Sequence, residues 1–257
     1  MRTQSTEQFI DGIRIESYGT ASDSPPLLFV HGGCQGSWAW EKVAPRLAEP
    51  GRHAVCLNWY GHHGSKSLGK SRALRRSLLD VRTEIAAVAR SLDSAPVLVA
   101  HGMGAVPSLA YAAENPVTAL VLLAPVLPAG FGGGSIDLMV DGSSMWLPPR
   151  GLIKPLWWSH VTDDESRRYA SLLVPESPLA ILEATRWLCQ VETGKVRAPV
   201  LVIAGGADPL VPAEVESLAE AIGATFLLHE GEGHGMPLNP VWSEVSAEID
   251  EWLCALN

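Results

Sequence analysis

Short, wholly apolar runs recur along the chain and alternate with longer segments in which apolar residues return every three to four positions. Runs without polar alternation are typical of strands buried on both faces, and the longer segments are typical of helices. Together they predict an α/β protein with a mainly parallel, doubly wound sheet. The predicted strands are residues 13–18, 27–31, 54–58, 97–100, 119–124, 200–204 and 225–229, and the predicted helices are 38–47, 74–92, 105–114, 213–222 and 240–253.

The alternation is interrupted once, between Pro125 and Pro199, where the pattern predicts no strand. Helical patterns there cover residues 135–146, 163–173 and 178–190. We interpret residues 126–198 as a helical cap inserted between two strands of a core that is formed by residues 1–125 and 199–257. The cap contains four of the nine tryptophans of the chain, Trp146, Trp157, Trp158 and Trp187.

Composition narrows the function classes. With 257 residues, 47% of them hydrophobic, the chain has the composition of one globular unit. The net charge of −9 and the lack of a basic stripe argue against a nucleic-acid partner, and residues 66–76 are the only dense cationic run. Apolar stretches fall short of the roughly 20 residues that span a bilayer, and the start lacks an apolar leader. We therefore expect no membrane association and a cytoplasmic location.

Neither a metal nor a cofactor is expected. The four cysteines show no paired spacing of the kind that binds zinc or forms a disulfide framework. The sequence also has neither a G-x-G-x-x-G fingerprint nor a P-loop lysine.

Residues 97–105, Val-Leu-Val-Ala-His-Gly-Met-Gly-Ala, run from a predicted strand straight into a predicted helix. A nucleophile elbow, G-x-S-x-G, has this form, because its central residue sits on a strained tight turn that needs small residues two positions before and after. Ala100 and Gly104 meet that requirement. The central residue is Gly102, which keeps the turn and lacks the hydroxyl. A plain glycine-rich turn or a phosphate-binding loop remains the alternative interpretation.

Three further loops complete the pattern. In His31-Gly32-Gly33 a strand ends in glycines that let backbone N–H groups face a cavity, so Gly33 and Met103 are candidate oxyanion donors; His31 is interpreted as a structural brace. Asp208 directly follows the strand 200–204, and His234 lies at the tip of a glycine-rich loop. The chain order of nucleophile position, acid and base, each after its own strand, is the order of one known hydrolase layout.

These motifs resemble the α/β-hydrolase superfamily, from about residue 12 to residue 253. The stretch 31–40 is similar to the H-G-x-x-x-G-x-W-x-W loop of the small esterase and hydroxynitrile-lyase branch and its bacterial relatives. The stretch 58–65 resembles the D-x-x-G-H-G-x-S loop, with Asn58 in place of the usual aspartate. The resemblance implies an α/β-hydrolase fold. Its implied site has the nucleophile position at Gly102, the acid at Asp208, the base at His234 and the oxyanion donors at Gly33 and Met103.

Gly102 leaves three interpretations open. In the first, a parent enzyme has serine there and performs acyl transfer through an acyl-enzyme, and this chain is its inactivated form. In the second, glycine is natural, and His234 with Asp208 acts as a general base for a lyase or cyclase reaction. In the third, the protein binds a ligand without catalysis.

The substrate is expected to be a small hydrophobic acyl ester or thioester. The cap tryptophans Trp146, Trp157, Trp158 and Trp187, together with Trp38, predict an apolar pocket suited to an aromatic acyl group. Water as acceptor gives an esterase or thioesterase, and an amine, alcohol or thiol gives an acyltransferase. Superfamily members such as the indolyl-acyl transferases of nosiheptide-type pathways take the acyl group from a carrier protein, which suggests a role in natural-product biosynthesis and a carrier as possible partner. The oligomeric state is not predicted.

Overall fold

One sheet of eight strands organises the molecule. The computed structural model describes residues 5–49, 51–211 and 214–256. The strand order is β1-β2-β4-β3-β5-β6-β7-β8. Strands β3 to β8 run parallel to one another, whereas β2 is antiparallel to both β1 and β4. The strands are Thr6–Ile10 (β1), Ile13–Tyr18 (β2), Leu27–Val30 (β3), Ala54–Leu57 (β4), Val97–His101 (β5), Ala119–Leu123 (β6), Val200–Gly205 (β7) and Thr225–His229 (β8).

The mainly parallel sheet confirms the prediction from the apolar runs. Strands β3, β4, β5 and β6 are buried along their whole length, which is why they read as unbroken apolar runs. Strand β1 was missed, because it lies at the sheet edge and four of its five residues are exposed. Its polar sequence carries no burial signal, and only its antiparallel pairing with β2 makes it a strand.

Nine α-helices accompany the sheet in the described part of the chain. They are Val43–Ala48 (α1), Lys70–Leu74 (α2), Arg82–Ala89 (α3), Ala105–Glu114 (α4), Arg150–Trp157 (α5), Asp163–Leu172 (α6), Pro178–Thr185 (α7), Val215–Ala221 (α8) and Trp242–Ala255 (α9). None of these helices combines the length and the apolar character that crossing a membrane requires.

Two predicted helices are divided in the structure. Residues 38–47 form a 3-10 turn, Ser37–Trp40, followed by α1. The range 74–92 contains the end of α2, a second 3-10 turn, Leu78–Val81, and then α3. Ser77 causes the second break, because its side chain and that of Asp80 form a capping box that starts a new helical segment.

Residues 126–198 lie between β6 and β7 and are called the inserted segment below. The helix predicted at 135–146 is wrong, because Asp141 accepts hydrogen bonds from the N–H and hydroxyl of Ser143 and so forms a turn. The chain there is extended enough for Trp146 to bridge Glu176. Helices α6 and α7 lie within their predicted ranges. Helix α5 was not predicted, since it contains Pro155.

Candidate active site

The turn at Gly102 has the geometry of a nucleophile elbow. Strand β5 ends at His101, a 3-10 turn covers Gly102–Gly104, and α4 follows at once. Gly102 has φ +53°, in the left-handed region that side chains disfavour. A Cβ on Gly104 would lie 2.5 Å from the carbonyl oxygen of His31 and 2.7 Å from that of Val30. The loop after β3 therefore packs against the elbow so closely that only glycine fits at 104.

An imidazole and its carboxylate partner face this turn. His234 Nδ1 lies 2.9 Å from Asp208 Oδ2, so its N–H donates to the carboxylate. A Cβ on Gly102 would lie 2.9 Å from His234 Nε2. Both partners are buried, and Asp208 is held from its other oxygen by the N–H of Leu210, at 2.8 Å. The structure thus brings the three predicted residues together, with Nε2 aimed at the position that a serine side chain would fill.

The loops that carry the acid and the base are joined to each other. The N–H of Gly206 donates to His229 O, and the N–H of Ala207 donates to Glu232 O, each at 2.9 Å. A Cβ on Gly206 would lie 2.7 Å from Glu230 O. Backbone contact at this distance fixes the two loops relative to each other, which keeps the carboxylate and the imidazole in register.

Gly33 and Met103 lie side by side. A Cβ on Gly33 would overlap Met103 Sδ, so the loop after β3 needs glycine there. The N–H of Gly32 donates to Gln35 Oε1 and that of Cys34 donates to Glu176 Oε2. The N–H of Gly33, between them, has no acceptor among the described residues. It is the amide that remains available to an oxyanion.

Two further histidines hold these loops. His31 Nδ1 lies 2.7 Å from Gly32 O, its Nε2 accepts from the N–H of Trp59, and its ring stacks on the indole of Trp59, which fits a structural brace. His101 Nε2 lies 2.8 Å from His234 O and ties the base loop to the elbow. Burial, and then the charge of His234, lower the pKa of His101 to about 3. His101 belongs to the elbow motif in the sequence, but its contact with the base loop depends on tertiary structure.

An apolar cavity of about 480 Å³ of non-protein space opens above these groups. Gly33, Met103 and His234 reach it from the core. The remaining lining comes from the inserted segment and neighbouring loops, and sequence reasoning missed most of it for lack of a local signal. These residues are Cys34, Val126, Ile136, Leu138, Trp146, Trp157, Ile181, Ala184, Thr185 and Leu210.

Of the five tryptophans predicted to form the pocket, the structure places Trp146 and Trp157 in the cavity wall, with ring centroids 6.2 Å apart. Trp38, Trp158 and Trp187 do not line it, and for them the prediction was wrong. Their indoles hold the inserted segment together and onto the core. Trp38 stacks on Tyr169 and donates to His63, Trp158 donates to Ser166, and Trp187 packs on Gly132.

The Cys34 thiol and a cluster of one histidine and two glutamates are other side chains in this region that could in principle react or bind a metal. Burial and the charge of Glu176 raise the pKa of the Cys34 thiol well above its usual value, so it is a poor nucleophile. His229, Glu244 and Glu248 bring ligand atoms within 4.8 Å of one another. A hydrogen bond of 2.9 Å between His229 and Glu248 accounts for their proximity.

Comparisons with known proteins identify the family of the chain. A sequence model of the family described as "Alpha/beta hydrolase family" matches residues 27–245. The chain is similar to Methylesterase 9 of Arabidopsis thaliana, 32% identical over 83 residues that cover 32% of this chain and 31% of that protein. It is also similar to Probable esterase PIR7A of Oryza sativa subsp. indica, 35% identical over 110 residues and 40% of each chain. The matched region thus spans less than half the length of these relatives.

Solved structures share the fold over almost the whole chain. A monoacylglycerol lipase from Paleococcus ferrophilus superposes with a TM-score of 0.73 at 20% identity, covering 95% of this chain and 99% of that one. The thioesterase domain from the curacin biosynthetic pathway superposes with a TM-score of 0.69 at 19% identity, covering 98% and 99%. At these identities the likeness shows the α/β-hydrolase fold alone.

Proposed function

The chain belongs to the alpha/beta hydrolase family, and from that premise we propose that its cleft is an active centre for acyl esters or thioesters, with Gly102 at the nucleophile position. One observation carries the proposal. His234 Nε2 lies 2.9 Å from where a side chain at 102 would begin, while His234 Nδ1 is held by Asp208. In the part of the chain that the structure describes, Nε2 has no hydrogen-bond partner. An imidazole oriented in this way is poised to take a proton.

With serine at 102, the chemistry follows from the geometry. His234 removes the hydroxyl proton as the oxygen attacks the acyl carbon, and the N–H groups of Gly33 and Met103 stabilise the oxyanion. His234 then returns the proton to the departing alcohol or thiol, which leaves an acyl-enzyme. With Gly102 this first covalent step lacks its nucleophile. The protein with Gly102 therefore binds acyl substrates and turns them over at a residual rate at most.

The cavity wall supports an apolar, preferably aromatic, acyl group. No Asp, Glu, Lys or Arg is among its lining residues, and Trp146 and Trp157 present adjacent rings. Aromatic pairs of this kind favour flat apolar ligands. The esterase names of the plant relatives also support an ester substrate.

Restoring the hydroxyl tests the proposal. We expect Gly102→Ser to raise the hydrolysis rate of a p-nitrophenyl arylacyl ester about 10³-fold or more, because a triad lacking one member loses at least that factor. A burst of p-nitrophenol equal to the enzyme concentration should precede the steady state. Gly102→Ala is the matched control, since it adds the same Cβ at φ +53° without a hydroxyl. Equal rates for the two variants would contradict the proposal.

The acyl acceptor is a separate part of the proposal. We infer that the donor is a carrier-bound aromatic thioester. The enzyme acts as an acyltransferase if an amine, alcohol or thiol reaches the acyl-enzyme before water does. Gly102→Ser incubated with aromatic acyl thioesters should gain the acyl mass, and added acceptors should remove it as product. Release only as free acid would identify a thioesterase.

A second candidate rests on the unpartnered Nε2 of His234. With nothing at 102 between it and the cavity, the imidazole can act directly on a substrate proton, as a lyase or cyclase requires. Under this alternative the Gly102 chain itself is active, His234→Ala abolishes that activity, and Gly102→Ser produces no burst. Binding without turnover in every variant would identify a ligand-binding protein.

A further inference from the structure

A buried carboxylate outside the Asp208–His234 pair contacts the loop after β3. Glu176 belongs to the inserted segment and is only 2% exposed. Its Oε2 accepts from the N–H of Cys34 at 3.3 Å and lies 3.2 Å from His62 Nε2, and its Oε1 accepts from the N–H of Ser177 at 2.9 Å. A buried charge is costly unless it is paired and hydrogen-bonded, and the acyl chemistry of the dyad makes no use of this one.

A buried histidine faces this carboxylate. His62 Nε2 lies 3.2 Å from the carboxylate, and its Nδ1 lies 3.3 Å from Tyr60 O. Burial works to raise the pKa of Glu176. The charge and hydrogen bond of His62, with the Ser177 N–H and the charge of Arg76, outweigh burial and hold that pKa below its usual value. Glu176 is therefore an ionised, buried hydrogen-bond acceptor.

Cys34 needs such an acceptor. Its φ is +61°, a conformation that residues other than glycine rarely adopt. Residues from one stretch of the inserted segment hold its backbone on both sides: Glu176 accepts from its N–H, and its C=O accepts from the N–H of Val174 at 2.9 Å. Gly33, the candidate oxyanion donor, is the residue before it.

We propose that Glu176 is a positioning residue for the oxyanion loop, residues 31–35: its carboxylate fixes Cys34 in the left-handed conformation and thereby aims the N–H of Gly33 into the cavity. The idea rests on the proposed function. Glu176 is also paired through its backbone with Trp146, by hydrogen bonds of 2.9 and 2.8 Å, and Trp146 lines the cavity. The oxyanion loop and the acyl-binding wall therefore share one anchor.

Amide hydrogen exchange tests the positioning in the Gly102 chain itself, without any catalytic assay. We expect Glu176→Gln to accelerate exchange of the Cys34 amide about tenfold or more, because the acceptor loses its charge and the hydrogen bond weakens. Glu183→Gln is the matched control. Glu183 also links the inserted segment to the core, through the Ser77 hydroxyl and the N–H of Leu78, but it does not contact the oxyanion loop.

In the control variant, faster exchange should appear at Leu78 and not at Cys34. Cys34 exchange that stays unchanged in Glu176→Gln, or that rises equally in both variants, would overturn the proposal. Thermal melts of both variants check that the comparison is made on folded protein.

A rescue experiment addresses the conformation directly. Glycine adopts φ +61° without penalty, so Cys34→Gly should reduce the dependence of the loop on Glu176. The N–H of Gln35 donates to Gly32 O across residues 33 and 34, so its exchange reports the conformation between them. We expect Glu176→Gln to accelerate exchange of the Gln35 amide several-fold less in the Cys34→Gly background than in the parent chain. An equal effect in both backgrounds would show that Glu176 does not maintain this backbone conformation.

Kinetics then connect the loop to catalysis. In the Gly102→Ser background, Glu176→Gln should lower kcat about tenfold or more and change KM less than twofold, because an oxyanion donor acts in the transition state. Glu183→Gln should leave both constants within twofold. Unchanged kcat in Glu176→Gln would overturn the link to catalysis. If Gly102→Ser itself is inactive, the proposed function fails, and the exchange measurements still decide the role of Glu176.

Discussion

The dyad depends on which nitrogen of His234 carries the proton. Asp208 Oδ2 accepts from Nδ1–H at 2.9 Å, so in the neutral imidazole Nε2 is the nitrogen without a proton, and it faces Gly102. The carboxylate itself is fixed, because Oδ1 accepts from the N–H of Leu210. One hydrogen bond thus selects the tautomer that can act as a base.

An amide at 208 tests this selection. In the Gly102→Ser background, Asp208→Asn should lower kcat about 10³–10⁴-fold, since Asn can donate to Nδ1 and favour the wrong tautomer. Imidazole ¹⁵N chemical shifts of His234 should report the change in protonation in the Gly102 chain as well. A kcat within tenfold of the parent, with unchanged shifts, would show that Asp208 does not set the tautomer.

At the scale of elements, the site is made of strand ends and the turns that follow them. The elbow after β5 and the loop after β3 approach so closely that residue 104 faces two carbonyl oxygens, those of Val30 and His31. The base loop is equally close to α5, since a Cβ on Gly235 would overlap Trp157 O. Close backbone approach, rather than side-chain packing, determines where the chemistry can occur.

Gly104→Ala measures how much stability is lost when a methyl group is forced between the elbow and the loop after β3. We expect it to lower the free energy of unfolding by about 2–3 kcal/mol, as overpacked sites commonly do. Gly151→Ala is the control: Gly151 lies in α5 with nothing within 4 Å of an added Cβ, so this change should be neutral or stabilise by about 0.5 kcal/mol. Urea unfolding of both variants provides the comparison, and equal stabilities would contradict the packing argument.

Over the whole molecule, buried neutral histidines make stability depend on pH. Burial, and then the charge of His234, lower the pKa of His101 to about 3, below the value of about 6.5 in the unfolded chain. Between these values the unfolded state binds a proton that the folded state does not. The contribution of His101 is therefore present in full above pH 6.5 and is lost as the pH falls towards 3.

From pH 7 to pH 5, this one residue should remove about 2 kcal/mol from the free energy of unfolding. Between pH 7 and pH 5, the free energy of unfolding of His101→Gln should fall by about 2 kcal/mol less than that of the parent chain, because glutamine does not titrate. Urea unfolding at the two pH values measures the difference. Parent and variant that lose the same free energy would show that His101 is not the group responsible.

The fold followed closely from the pattern of apolar residues. Strands such as β3 and β5 are buried on both faces, so each appears in the sequence as an unbroken run of mostly apolar residues. Strand β1 and the turn at Asp141 departed from prediction, because an edge strand and a side-chain-to-backbone hydrogen bond carry no apolar periodicity.

The candidate site was predictable in its core residues for a similar reason. Gly102, Asp208 and His234 each follow a strand, and the carboxyl ends of parallel strands meet at one edge of the sheet. The pocket was not predictable to the same degree, since Trp38 and Trp146 look alike in sequence and only Trp146 lines the cavity.

By itself, then, the sequence determined the parallel sheet, the tight turn without a hydroxyl and the chain order of acid and base, because each depends on residues that are neighbours in the chain. Only the tertiary structure decided which indoles line the cavity and that Glu176 holds Cys34, 142 positions away. Contacts of that kind depend on how the inserted segment packs on the core, and packing between distant segments leaves no periodic trace in the sequence.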